Sequence, residues 1–171
     1  YNAPNYLIVV SAGNDRGEGP SVALNHWIYA AGQWRFVFGQ RDKDGGSTGY
    51  DCISGTSLSK NVLCVGSVKD LTSGYTTAAA VLAESYTAWG PTDDGRIKPD
   101  VVANGQSLYS TLETANNAYG SLSGTSMASP SVAGSVGLLL EQQKRMQGTT
   151  PLRSSSMKAI LIQTADEAGS A

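Results

Sequence analysis

Three observations predict an α/β fold built on a mainly parallel sheet flanked by helices. Tyr6-Leu7-Ile8-Val9-Val10 is a continuous apolar run that stops abruptly at Ser11-Ala12-Gly13-Asn14. Asn61-Val62-Leu63-Cys64-Val65-Gly66-Ser67-Val68 is a second run of the same kind. Further on, Met127, Val132, Val136, Leu139 and Leu140 recur at helical spacing. Strands apolar on both faces belong to a parallel sheet covered on both sides, and an apolar helix supplies such cover. The chain has 171 residues, enough for one domain with a real core.

Taken in order, residues 6–10 form the first strand. Residues 15–60 are rich in Gly, Ser and Asp, yet hold the aromatic stretches His26-Trp27-Ile28-Tyr29 and Trp34-Arg35-Phe36-Val37-Phe38. They read as an elaborated loop with a short helix or hairpin of its own. Residues 61–68 give the second strand, and residues 86–89 and 101–103 are expected as short strands around the turn Gly90-Pro91-Thr92-Asp93-Asp94-Gly95. A helix over 127–143 follows, nearly engulfed through residues 135–140 and stopped at Gly148. The last helix starts after Ser154-Ser155-Ser156, carries Met157, Ile160, Leu161 and Thr164 inward, and closes near Gly169.

Composition excludes several function classes. A formal net charge of −2, with no block of like charge, gives no field for nucleic acid. The apolar runs fall far short of the roughly 18 residues that a membrane span needs. Cys52 and Cys64 are too few and wrongly spaced for a zinc knuckle; a bridge between them is allowed, but free thiols are the better expectation. Gly13, Gly17 and Gly19 lack the spacing of a dinucleotide-binding turn.

The chemistry is concentrated in Gly124-Thr125-Ser126-Met127-Ala128-Ser129-Pro130-Ser131-Val132-Ala133-Gly134. A serine in the first turn of a helix sits where unpaired N–H groups and the helix dipole favour negative charge, the charge that develops on a carbonyl oxygen under attack. Gly124 permits a tight turn and close substrate approach, and Pro130 deprives the Ser126 carbonyl of its helical partner. The plainer reading is that Thr125 and Ser126 merely cap the helix. A second candidate is Asn14, which directly follows a buried strand and would project its amide at the carboxyl edge of the sheet, where ligands of α/β sheets collect. Alone it is an ordinary loop asparagine.

The eleven-residue string matches at every fixed position the nucleophile motif of the subtilases, the subtilisin-like serine peptidases, which this chain resembles over most of its length. Ser11-Ala12-Gly13-Asn14 is similar to the strand and Ala-Gly-Asn of that family, Trp89-Gly90-Pro91 to its Gly-Pro turn, and Ile97-Lys98-Pro99-Asp100-Val101-Val102-Ala103 to the strand before its Ala-Pro-Gly. Asn104 replaces that proline, a change expected to loosen the turn. The resemblance implies a partial subtilisin-like three-layer domain and a serine endopeptidase working through an acyl-enzyme. Ser126 would be the nucleophile and Asn14 the oxyanion donor. Ser11, Ala12, Gly13, Gly124 and Thr125 would contact substrate.

A serine nucleophile also needs a histidine base and an orienting carboxylate. His26 is the one histidine, and Leu24-Asn25-His26-Trp27 matches neither the Asp nor the His setting of the family. The chain starts Tyr-Asn-Ala-Pro-Asn and so reads as the C-terminal portion of a peptidase domain, cut from something longer. On that reading it is inactive alone and partners with the upstream half of the same domain and a polypeptide substrate. Its first strand should leave a bare apolar edge open to self-association. The alternative is a non-catalytic binding or assembly domain on the same scaffold. No cofactor is required for the chemistry; Asp42, Asp44 and Asp51 form a weak calcium candidate, and the family implies secretion.

Overall fold

A computed structural model of the chain describes residues 3–17, 23–40, 52–53, 55–148 and 152–168. Three parallel strands, β1 (Val9–Ser11), β4 (Leu63–Val68) and β5 (Val101–Asn104), make a sheet in the order β1-β4-β5. Two antiparallel hairpins stand apart from it: β2 (Ala23–Ala30) with β3 (Gln33–Gln40), and β6 (Leu108–Thr111) with β7 (Tyr119–Leu122). Two helices follow, α1 (Thr125–Gln147) and α2 (Ser154–Gln163).

The central strand β4 is buried at all six positions, as its unbroken apolar run requires. Alternation divides its side chains between two cores. Leu63 and Val65 meet Ala128 and Val132 of α1, with Leu161 of α2 packed alongside. Cys64 faces the other way, onto Ala12, Ile53 and Ala88, so that loops cover this second face. α1 therefore docks along β1, β4 and β5.

Several expectations are corrected. The first strand is shifted to Val9–Ser11, and it is half-buried rather than engulfed because among the described residues it pairs with β4 alone. Residues 86–89 are not a strand; they cross the end of the sheet, with Ala88 N–H donating to the Gly13 carbonyl (2.9 Å) and Thr87 Oγ1 accepting from Ser67 N–H (2.9 Å). The stretch expected to be nearly engulfed in α1 is open on one side, with Ser135, Gly137 and Leu138 exposed and only Val136 of that stretch buried, because the helix packs by one stripe. Thr164 is exposed just past the end of α2. The turn at Asn104 is retied rather than loosened: its side chain donates to Asp70 Oδ1 (2.9 Å) and accepts from Gln106 N–H (2.8 Å).

A buried ion cluster ties α2 to the sheet. Asp100 accepts from Lys98 Nζ (2.6 Å), Lys158 Nζ (3.0 Å) and the Cys64 backbone N–H (2.8 Å). Both cysteines are free thiols. Burial pushes the Cys64 thiol up to about 11, with the Lys98 ammonium opposing that shift.

Candidate active site

β1 ends at Ser11 and the chain turns at the carboxyl edge of the sheet. Ala12 N–H donates to the Val65 carbonyl (2.8 Å), and the Ser11 carbonyl accepts from Ser57 Oγ (2.8 Å). These bonds pin the backbone on both sides of the residue before Gly13. From the other direction, Gly105 follows β5, and its carbonyl accepts from Gly124 N–H (2.8 Å). Two loops that follow parallel strands thus bring position 14 and position 124 together, where α/β sheets hold their ligands.

Thr125 makes the contact. Its backbone N–H donates to Asn14 Oδ1 (3.0 Å), its Oγ1 donates to the same oxygen (2.9 Å), and Gly13 N–H donates to Oγ1 (3.2 Å). Asn14 is consequently held by its acceptor oxygen, and its Nδ2 amide points past Gly124. A Cβ on Gly124 would stand 3.3 Å from that nitrogen, and φ of 153° already strains any other residue there. Thr125 is 1% exposed, so its hydroxyl is turned away from solvent and acts as a clasp; only its backbone borders the opening.

Ser126 is exposed in the first turn of α1, which Gly124 caps without any side-chain cap bond. The capping role open to Thr125 on sequence grounds is therefore not the one its hydroxyl performs. Pro130 lies inside the helix, as the string required. Beside Ser126, an open groove of about 410 Å³ runs between the β6–β7 hairpin and α1, bordered by Leu108, Leu112, Leu122, Met127 and Pro130.

On the far side of Gly13, Ala12 is buried at 2% exposure while Ser11 and Gly13 are half-buried. The loop 86–89 backs this wall. Arg16 stacks its guanidinium 3.5 Å from the Trp89 ring centroid, and the Trp89 carbonyl accepts from Cys52 N–H (3.0 Å). Burial raises the Cys52 thiol above its ordinary value, against backbone hydrogen bonding near Trp89 that lowers it. His26 sits mid-strand in β2, opposite Val37. The calcium candidates Asp42, Asp44 and Asp51 lie outside the described residues.

A family model described as the subtilase family matches residues 2–171. The chain belongs to the subtilase family. C5a peptidase of Streptococcus pyogenes serotype M18 is 50% identical over 66 residues, 39% of this chain and 6% of that protein. The PII-type proteinase of Lactococcus lactis subsp. cremoris is 48% identical over 54 residues, 32% of this chain and 3% of that protein. Among solved structures, the self-cleaved protease domain of PatA has the same fold, with a TM-score of 0.59 at 23% identity over 94% of this chain and 42% of that one. The Clostridium perfringens CspB protease gives 0.55 at 28% identity, over 69% of this chain and 24% of that one. This subtilase chain thus spans under half of each relative.

For a subtilase, the sequence reading found the strand ends and the helix start but missed what joins them. Thr125 was assigned to substrate contact, and its β-branched hydroxyl between Gly124 and Ser126 gave no hint of a partner 111 positions earlier. Gly105 was passed over altogether, although a Cβ there would lie 2.6 Å from the Gly124 carbonyl oxygen. A glycine directly after a parallel strand was the one available signal.

Proposed function

We propose that this chain carries the nucleophile and oxyanion half of a serine endopeptidase active site. Ser126 Oγ attacks the scissile carbonyl of a polypeptide, the Asn14 side-chain amide and the Ser126 backbone N–H stabilise the oxyanion, and an acyl-enzyme forms and is hydrolysed. The observation that carries this reading is the Thr125 clasp, which spends the acceptor of Asn14 and leaves its Nδ2 donor aimed past Gly124. Ser11, Ala12 and Gly13 form one wall for the side chain preceding the cut, with Gly124 on the other side.

A histidine base and its carboxylate come from an upstream part of the same domain, so the 171 residues alone do not turn over substrate. His26 is not assigned to that task, because its place in the middle of a hairpin strand lacks the orienting carboxylate a base requires. The relatives named as bacterial peptidases support an extracellular, secreted setting.

Labelling with a fluorophosphonate probe tests the assignment. Full-length protein should be labelled at Ser126, and the isolated chain should not, since an unactivated serine is a weak nucleophile. A full-length protein that resists the probe, or labelling at any serine other than Ser126, would refute the reading and favour a non-catalytic scaffold.

A further inference from the structure

The β2–β3 hairpin shows two unlike faces. Register pairs Trp27 with Phe36 and Asn25 with Phe38, and strand alternation places Trp34 on that same side. Trp27, Trp34, Phe36 and Phe38 are 62, 66, 58 and 73% exposed. The opposite side carries His26, Ile28 and Val37, all half-buried. Trp27 and Phe36 touch ring to ring, 5.1 Å between centroids. The aromatic side holds no charged residue. Such exposure of large rings needs a reason, because burying them is worth more than almost any other side-chain burial.

The hairpin is also rooted at the candidate site. The excursion leaves the wall at Arg16, whose N–H donates to the Tyr86 carbonyl (3.3 Å) and whose guanidinium lies on Trp89; it returns at Cys52, bonded to Trp89. Six residues separate Gly17 from Ala23, so the near end of the hairpin lies within about 20 Å of the wall whatever path the chain takes.

We infer that this aromatic face is a secondary binding surface for an extended, uncharged apolar segment of the polypeptide substrate; the inference rests on the peptidase reading above. Trp34, Phe36 and Phe38 recur every two residues, about 6.8 Å apart along the strand. An extended peptide repeats its same-side residues at that distance, so alternate apolar side chains meet successive rings. A second copy of the chain fits less well. Four rings roughly two-thirds exposed, at about 150–250 Å² each, offer on the order of 500 Å², whereas a stable dimer buries about 800 Å² per partner. The absence of charge on the face selects a neutral segment.

The test uses full-length protein and a fluorescein-labelled nonapeptide alternating Leu and Thr, with Lys at each end, against an isomer whose Leu residues are adjacent. Anisotropy should show the alternating peptide binding at least tenfold more tightly than the isomer, and W34A/F36A should weaken it tenfold or more. Arg35→Ala, on the opposite side, should stay within twofold, and Trp34→Phe within threefold. Equal binding of the two peptides, unchanged binding by W34A/F36A, or loss in Trp34→Phe as complete as in the double variant overturns the inference. So does wild-type self-association in sedimentation velocity that W34A/F36A abolishes, which assigns the face to a second copy. Fluorophosphonate labelling of the same samples separates the two assignments. Labelling without peptide binding refutes the hairpin role alone; binding without labelling refutes the peptidase reading and the substrate assignment with it.

Discussion

Asn14 illustrates how one side chain is made to do a single thing. Its amide oxygen takes two hydrogen bonds from Thr125, so rotation about its terminal torsion would break both, and the donor nitrogen is fixed in direction. Asn14→Asp keeps the oxygen that Thr125 holds but exchanges the N–H donor for a second acceptor. In full-length enzyme we expect kcat to fall by about two to three orders of magnitude with little change in KM or in folding stability. Steady-state kinetics with a parallel urea titration check this, and a loss of stability matching the loss of rate would show a structural role instead. Thr125→Val keeps the shape and removes the hydroxyl, orphaning Gly13 N–H. It should cost about 1–3 kcal/mol in chemical denaturation and lower kcat more mildly than Asn14→Asp does.

Gly105 shows the same economy at the level of elements, since it is where β5 delivers the helix start to its place. An alanine there would press on the Gly124 carbonyl and on Ser67, which itself meets the Tyr86 hydroxyl at 2.9 Å. Backbone on both sides leaves no flexible group to yield. Gly105→Ala should therefore lower stability by about 1–3 kcal/mol, as overpacking does, and slow fluorophosphonate labelling of Ser126; labelling at the wild-type rate would show that the helix start is not set from β5. Elements with strong patterns were legible from sequence: β4 from its unbroken apolar run, α1 from its spacing, and a hairpin within residues 15–60 from its two aromatic stretches. The β6–β7 hairpin was not, because its strands are short and carry Ser, Gly and Thr among their few apolar residues. Residues 86–89 misled for the opposite reason, since an aromatic-rich stretch suits a strand equally well as a loop packed on a sheet end.

Across the whole molecule, the sheet ends on one side at β1, with Tyr6 and Ile8 exposed at 73 and 47% just before it. No strand covers that edge among the described residues. An edge of this kind templates pairing unless charge interrupts it. We expect the isolated chain to self-associate with rising concentration in sedimentation velocity, and Ile8→Lys to restore the monomer; a wild-type chain that stays monomeric at the highest concentration tested would rule this out. Half of the site was visible in the sequence because its residues lie in short contiguous strings. What joins the halves was not, since that depends on which loops the topology brings side by side. The Thr125–Asn14 clasp spans 111 residues, and contacts so distant in sequence close late in folding. A chain still emerging or partly unravelled therefore has a serine with no oxyanion donor beside it. The same bond that aims the amide thus keeps the molecule from cutting its unfinished neighbours.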